Sequence, residues 1–298
     1  MDRLGHRSVV LCGLVLVAVA LACSDDAGPS ADAPVAEAGA SDLETEAQIP
    51  DLAPPDARPP VTCAAGSRAG KAGSTEGLLT GKGRVYNVRT PASYDPLKGH
   101  PLIMVFAAAG GTAVTMEPFT GLTAPAMQAG YVIAYVDHVT PNTGSSVDDI
   151  ALVPKLVAEH WCIDTSRVYL TGHSDGGTVI YVMLARNSAP HQPAAIAPSA
   201  AGMSAQAFGQ ITCFDKPLPM MVLHSKNDAL FPGFGADARD WWVGCNGCSA
   251  AAEAPLPDGC LSYPGCTAQV VVQYCEGSGV HGSWPPLNAS MLAFFDRF

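Results

Sequence analysis

The sequence predicts an α/β fold in which a mostly parallel sheet carries helices on both faces. From residue 84 onward, strand-like and helix-like segments alternate along the chain, which is the pattern of parallel strands joined by helical crossovers. Several strand candidates are continuous apolar runs, as expected when both faces of a sheet are covered. Residues 61–298 are long enough to form one such domain with a large core.

The N-terminus is typical of an export signal. Arg3 and Arg7 precede a short apolar run over residues 9–22, which is shorter than a membrane span and closes with small residues. The sequence therefore predicts a signal peptide over residues 1–22. The closing residues, Ala-Leu-Ala-Cys at 20–23, resemble a lipobox, which predicts lipidation of Cys23. The alternative is an ordinary cleaved signal that leaves Cys23 unmodified.

Residues 23–60 are rich in Ala, Pro and acidic side chains and poor in large apolar ones. Such a segment cannot bury enough apolar surface to offset its ordering entropy, so we expect a disordered acidic tether. The tether holds most of the formal net charge of −11. The remaining domain, residues 61–298, is only mildly acidic and gives no indication of nucleic-acid binding. Contact with a membrane is expected only through the lipid anchor.

The strands and helices can be placed approximately from apolar runs and their flanking residues. The strand candidates are Arg84–Val88, Leu102–Phe106, Tyr131–Val136, Arg167–Thr171, Ala194–Ala197, Met220–His224 and Gln269–Tyr274. The helix candidates are Asp148–Trp161, Gly176–Arg186 and Ala289–Arg297. Pro154 is expected to bend or interrupt the first of these helices.

The cysteines predict disulfides. Eight remain once Cys12 and Cys23 are set aside, and an even set in an exported domain indicates up to four disulfides. The alternative is a zinc site formed by Cys245, Cys248, Cys260 and Cys266. The segment Trp241–Cys266 has little periodicity, and we interpret it as a disulfide-stapled excursion before the last strand and not as a second domain.

One motif predicts a catalytic nucleophile. Gly172-His173-Ser174-Asp175-Gly176 follows a strand candidate and precedes a helix candidate. This order is that of a nucleophile elbow, in which Ser174 sits in a strained turn and the small residues two before and two after it let the chains approach closely. An ordinary Gly-rich turn is the alternative.

A serine nucleophile needs a base and a carboxylate that orients the base, and in this type of fold they follow the serine in the order acid, then His. Of the later histidines, His191 has no suitable acid before it and His224 falls within or at the end of a strand candidate. His281 follows the last strand candidate and a Gly-rich loop, so it is the predicted base. Asp228 follows the strand candidate Met220–His224 and is the predicted acid. The alternatives for the acid are Asp237, Asp240, Asp258 and Glu276.

Acyl transfer also needs donors for the developing oxyanion. The backbone N–H of Asp175, which follows the nucleophile, is one candidate. The loop Ala107-Ala-Ala-Gly-Gly-Thr112 follows an early strand candidate, and we place the second donor at the backbone of Ala109. No metal and no organic cofactor is needed for this chemistry.

With these residues in place, the domain resembles the secreted esterases grouped with polyhydroxybutyrate depolymerases and feruloyl or acetyl-xylan esterases, which are α/β-hydrolases of the carbohydrate esterase family 1 type. The most specific stretches are Ile163–Gly177 and Gly279–Pro285, which contains His281 followed by Trp284 and Pro285. The resemblance runs from about Cys63 to Phe298 and is also carried by Arg84-Val-Tyr, Tyr94-Asp-Pro, His100-Pro-Leu-Ile, Ala194–Pro198 and Pro217-Leu-Pro219.

The resemblance implies an ester hydrolase with Ser174, Asp228 and His281 as its triad, acting on feruloyl or acetyl esters of plant polysaccharide. The substrate is an ester and could be polymeric; Trp241 and Trp284 are candidates for lining its site, with packing as the alternative. One departure is notable: such enzymes usually carry His-Gly in the oxyanion loop, where this chain has Ala107-Ala108. The alternatives to a wall esterase are a polyester depolymerase and a surface lipoprotein that only binds.

Overall fold

The computed structural model describes residues 59–298, which lie within the second of two compact units, Asp51–Phe298. The predicted signal peptide, the lipidation at Cys23 and almost all of the predicted tether fall outside the described residues, and they remain predictions. Within residues 59–298 no helix is long and apolar enough to cross a membrane.

The described residues form a sheet of nine strands in the order β1-β2-β4-β3-β5-β6-β7-β9-β8. The six strands from β4 to β9 in this order run parallel, and β1, β2 and β8 pair antiparallel. The predicted mostly parallel sheet is therefore confirmed. The strands are β1 Gly73–Leu79, β2 Val85–Thr90, β3 His100–Phe106, β4 Val132–Val136, β5 Ile163–His173, β6 Ala195–Ser199, β7 Met220–Ser225, β8 Leu261–Tyr263 and β9 Val272–Gly277.

Each of the seven strand candidates corresponds to an observed strand, with shifts of a few residues at the ends. Strand β5 begins earlier than expected, at Ile163. Strand β9 begins later, only at Val272, because residues 267–269 form a short 3-10 turn. The sequence missed β1 and β8. Both lie at the edges of the sheet; β1 is largely exposed and β8 has only three residues, so neither has the apolar run that marks a central strand.

The helices cover both faces of the sheet and bury two separate apolar clusters against it. They are α1 Ala113–Thr120, α2 Thr123–Gln128, α3 Gly144–Ile150, α4 Val153–His160, α5 Asp175–Ala185, α6 Ala205–Phe208, α7 Phe234–Cys245 and α8 Asn288–Phe295. The predicted helix over 148–161 is two helices that meet around Leu152. Pro154 lies in the first turn of α4, where a proline needs no N–H donor and is tolerated.

The eight cysteines of the described residues form four disulfides, Cys63–Cys162, Cys213–Cys245, Cys248–Cys266 and Cys260–Cys275. The predicted stapling of the C-terminal region is confirmed. The zinc alternative is wrong, because all four cysteines proposed as its ligands are oxidised. The interpretation of Trp241–Cys266 needs a correction too, since its first residues are the end of helix α7. Trp242 and Ala238 lie four residues apart on the buried face of that helix, a spacing that its glycines and acidic residues concealed.

Candidate active site

Ser174 lies in a sharp turn between β5 and α5, with φ 55° and ψ −118°. This conformation is strained for a residue with a side chain and persists only where the surrounding structure enforces it. A Cβ at Gly176 would come within 2.0 Å of the carbonyl oxygen of Phe106, and one at Gly172 within 2.6 Å of the Gly176 backbone. The two glycines of the motif are therefore required by close backbone contacts.

The structure brings the three predicted triad residues together at the carboxyl edge of the sheet. His281 Nε2 lies 2.9 Å from Ser174 Oγ, and His281 Nδ1 lies 2.8 Å from Asp228 Oδ2. Strands β7 and β9 are parallel neighbours, so the loops that follow them, which carry Asp228 and His281, leave the sheet side by side. Because an ionised carboxylate can only accept, Nδ1 carries the hydrogen and Nε2 is free to accept the serine proton.

The Asp228 carboxylate is buried, and its residue is only 2% exposed. Oδ1 accepts hydrogen bonds of 2.9 Å from the backbone N–H groups of Leu230 and Phe231. Burial alone raises the pKa of this carboxyl, but the hydrogen bonds from His281 and from the two N–H groups outweigh burial and hold the pKa below its usual value. Asp228 is therefore ionised at neutral pH, as an orienting acid must be.

Two buried histidines hold the loops of the triad in place. His173 donates from Nε2 to the backbone carbonyl of His281 at 2.7 Å and accepts at Nδ1 from the Ser199 hydroxyl at 3.1 Å. Burial lowers the pKa of His173 to about 4, so it is neutral and both its nitrogens are occupied. His224 donates to the carbonyl of Phe231 at 3.0 Å, and burial lowers its pKa as well. Sequence reasoning discarded His224 as a base and did not assign a role to His173.

The predicted oxyanion loop forms a turn from Ala108 to Gly111, closed by a hydrogen bond of 2.8 Å between Gly111 N and Ala108 O. Gly110 has φ 73°, which fits the third position of a type II turn. Ala109 is the second residue of this turn and is exposed, whereas the N–H of Ala107 is bonded to Val136 O. Asp175 is the first residue of α5, where an N–H has no acceptor within the helix. Both predicted donors thus lie in segments that leave backbone N–H groups available.

Aromatic rings lie on two sides of the triad. Phe231 meets the His281 ring edge-on at 5.0 Å and stacks on Phe234. Phe119 meets the His173 ring at 5.0 Å, and Trp284 packs against both Phe119 and His173. Neither Phe119 nor Phe231 was singled out from the sequence. Phe231 could have been placed near the site, because it follows Asp228 by three residues.

The two tryptophans predicted to line the site have different surroundings. Trp284 contacts the ring of His173, which lies beside His281, and not the triad itself. It also lines a cavity of about 420 Å³ next to the loop that carries His281. Trp241 stacks on Phe208 at 5.1 Å and meets Phe214 and Trp242 edge-on, packed against the core. The structure therefore gives Trp241 the packing role that was the alternative. Among the described residues no cluster of three or more His, Cys, Asp or Glu side chains is arranged to hold a metal ion.

Comparison with solved structures settles the fold. An acetyl xylan esterase from Aspergillus awamori superimposes with a TM-score of 0.58, at 13% identity, over 76% of this chain and 100% of the other. A CE1 ferulic acid esterase from Anaeromyces mucronatus superimposes with a TM-score of 0.53, at 14% identity, over 79% and 95% of the two chains. The chain has the α/β-hydrolase fold.

The curated proteins that this chain is similar to are named as esterases or putative esterases. Feruloyl esterase C of Emericella nidulans is 26% identical over 58% of this chain and 66% of its own length. A relative from Nocardia uniformis is 26% identical over 68% of this chain, and the match spans 59% of that relative. The chain thus spans less than two thirds of the length of these two relatives. No family model matches the chain. The predicted resemblance to feruloyl and acetyl-xylan esterases is confirmed by the names of these relatives and structures.

Proposed function

We propose that the chain is a serine carboxylic ester hydrolase that acts through Ser174, His281 and Asp228 on feruloyl or acetyl esters of plant polysaccharide. The observation that carries the proposal is the unbroken hydrogen-bond relay from Asp228 through His281 to Ser174, with distances of 2.8 and 2.9 Å. The class of enzyme is further supported by relatives and structural neighbours that are themselves named esterases.

The arrangement accounts for acyl transfer in two steps. Ser174 Oγ attacks the ester carbonyl while its proton passes to His281 Nε2, and Asp228 stabilises the imidazolium. The N–H groups of Asp175 and Ala109 donate hydrogen bonds to the carbonyl oxygen as it becomes negatively charged. The C–O bond to the alcohol then breaks, and the alcohol leaves with the proton from His281. Water repeats the attack with His281 as base, which releases the acid and restores Ser174.

An aromatic acyl group suits the rings that flank the triad. Phe231 and Phe119 each lie one ring contact from a histidine of the site, and offset or edge-on contacts with a planar aromatic group are favourable. The cavity beside the base loop, lined in part by Ser225, Ser283 and Trp284, gives room for the alcohol side of an ester.

A polyester depolymerase is the second candidate, and a specific observation favours it. Three large apolar side chains are exposed next to the predicted site residues: Val114 at 62%, Leu230 at 61% and Val280 at 58%. They lie on helix α1 after the oxyanion loop, two residues after the acid, and directly before the base. An exposed apolar rim of this kind suits contact with a water-insoluble polymer.

Export is part of the proposal. The four disulfides are typical of proteins that fold outside the reducing cytosol. Together with the N-terminal sequence, they support a protein that is exported and lipid-anchored at Cys23, at the cell envelope or extracellular, with the catalytic domain beyond an acidic tether.

The test uses the oxidised domain, residues 61–298, beside Ser174→Ala. We expect hydrolysis of methyl ferulate and aryl acetate by the wild-type domain and a loss of about 10⁶-fold in kcat in Ser174→Ala, because the nucleophile is removed. Longer-chain aryl esters and a polyhydroxybutyrate suspension distinguish the two substrate classes. Faster turnover of the polyester than of methyl ferulate would select the second candidate.

Absence of Ser174-dependent turnover on every ester, from a folded and oxidised domain, would contradict both candidates. It would favour instead a surface lipoprotein that uses the site around Ser174 only for binding.

A further inference from the structure

The oxyanion loop lacks the side chain that usually supports it. Enzymes of the type that this chain resembles usually carry His-Gly where Ala107 and Ala108 stand, and an alanine side chain cannot donate or accept a hydrogen bond. The structure therefore has to hold the turn from Ala108 to Gly111 by other means. The N–H of Ala107, bonded to Val136 O at 3.1 Å, ties only the start of the loop to strand β4.

The two residues that follow β4 supply the missing contacts to the loop. Asp137 Oδ1 accepts a hydrogen bond of 2.7 Å from the N–H of Ala113, at the start of α1. The N–H of His138 reaches the carbonyl of Gly111 at 3.4 Å. Asp137 is itself fixed to the sheet, because its N–H donates to Val85 O at 2.9 Å. The C-terminal end of the oxyanion loop is therefore held by hydrogen bonds to Asp137 and His138.

The side chain of His138 reaches the other half of the proposed oxyanion site. Its Nε2 lies 2.8 Å from Oδ2 of Asp175, the residue directly after the nucleophile. The His138 and Asp175 side chains are 23% and 25% exposed, respectively. One residue therefore contacts both segments from which the two oxyanion donors are expected: the loop of Ala109 by its backbone and Asp175 by its imidazole.

We propose that His138 is a positioning residue of the oxyanion site, which fixes the spacing between the N–H groups of Asp175 and Ala109. This inference rests on the proposed function. His138 touches no reacting atom in this role. It supports the oxyanion loop, which the side chains of Ala107 and Ala108 cannot do. A partly exposed pair contributes little to the free energy of unfolding, so the effect of His138 is on geometry, to which transition-state stabilisation is sensitive.

The experiment compares His138→Ala with His138→Gln, whose amide nitrogen can replace Nε2 as the donor to Asp175. His191→Ala is the matched control, because His191 is an exposed histidine outside the predicted site. Both kcat and KM are measured on an aryl acetate. The inhibition constant of an aryl trifluoromethyl ketone is measured as well, because its serine adduct carries an oxyanion.

We expect His138→Ala to lower kcat about tenfold with KM almost unchanged, as a fraction of the loss seen when an oxyanion donor is removed outright. The inhibition constant of the ketone should rise by the same factor. His138→Gln should restore most of both, and His191→Ala should change neither. Asp175→Ala combined with His138→Ala should cost no more than His138→Ala alone, since each substitution removes the same contact.

Unchanged kcat and ketone affinity in His138→Ala would overturn the inference, as would a rise in KM alone, which would indicate a substrate contact. A second readout separates this outcome from failure of the proposed function. The rate at which an aryl fluorophosphonate labels Ser174 also depends on oxyanion stabilisation but needs no ester turnover. If wild type hydrolyses no ester, the proposed function fails; an equal labelling rate in wild type and His138→Ala would then overturn the role of His138 as well.

Discussion

The two sides of Ser174 are built in different ways. On one side the His281 side chain contacts Ser174 Oγ at 2.9 Å, and the Asp228 side chain contacts His281 at 2.8 Å. On the other side the proposed donors are backbone N–H groups, in a turn of alanines and glycines and at the start of helix α5. The triad side therefore depends on residue identity, whereas the oxyanion side depends on where the backbone is held.

The strongest test of this contrast is a change of one atom on the triad side. Asp228→Asn replaces a carboxylate oxygen by an NH₂ donor, which favours the wrong tautomer of His281. We expect kcat on an aryl ester to fall about 10⁴-fold while the fold is retained. Asp258→Asn is the control, because Asp258 Oδ1 accepts a hydrogen bond from Cys260 N and an amide oxygen can do the same. A larger loss in Asp258→Asn than in Asp228→Asn would show that Asp258, and not Asp228, is the acid.

On the oxyanion side, the matched experiment removes a backbone donor. Ala109→Pro eliminates the N–H, and proline suits the second position of a type II turn, so the loop should keep its shape. We expect kcat to fall about 10²- to 10³-fold. Ala109→Ser changes the side chain and keeps the N–H, so its kcat should stay within about twofold of wild type. Equal losses in the two variants would show that the Ala109 side chain matters and its N–H does not.

The smallest expected effect is on the pH dependence of stability, and it belongs to the triad side alone. The pKa of His173 is about 4 in the folded state, below the value of about 6.5 expected when unfolded. Between these values the unfolded state binds a proton that the folded state does not, so the free energy of unfolding falls as pH decreases. The loss should reach about 2 kcal/mol at pH 5 relative to pH 7.

Denaturant unfolding at pH 7 and pH 5 measures this loss. His224 is also buried with a lowered pKa and contributes in the same direction in every variant. His173→Gln should show a smaller pH dependence than wild type, and His191→Gln should show the same dependence as wild type. An unchanged pH dependence in His173→Gln would mean that His173 is protonated equally in both states.

The grouping of Ser174, His281 and Asp228 could be predicted because its signals are local. Glycines at 172 and 176 are demanded by contacts at 2.6 and 2.0 Å, and an apolar strand directly precedes the acid. The chain order of acid and base then left few candidates. The oxyanion turn could be located only by its position after β3, because backbone N–H donors do not require a particular type of residue.

The features that were missed depend on tertiary contacts. His138 gains its place only because β4 lies beside β3 in the sheet, which sets the residues after one strand against the loop after the other. Phe119 and Phe231 reach the site from a helix and a loop far apart in sequence. For Trp241 the sequence left substrate contact and packing as alternatives, because helix α7, which orients it toward Phe208, has no clear apolar periodicity.

The disulfides also divide the chain in the order in which it is synthesised. Cys63 and Cys162 are 99 residues apart, and both precede Ser174; the other three bonds lie entirely within residues 213–275. A chain that emerges N-terminus first exposes Cys63 and Cys162 before any of the six later cysteines, so none of those six competes for the first bond. Refolding of the reduced domain from denaturant exposes all eight thiols at once. Vectorial emergence should therefore give far fewer mispaired molecules than renaturation.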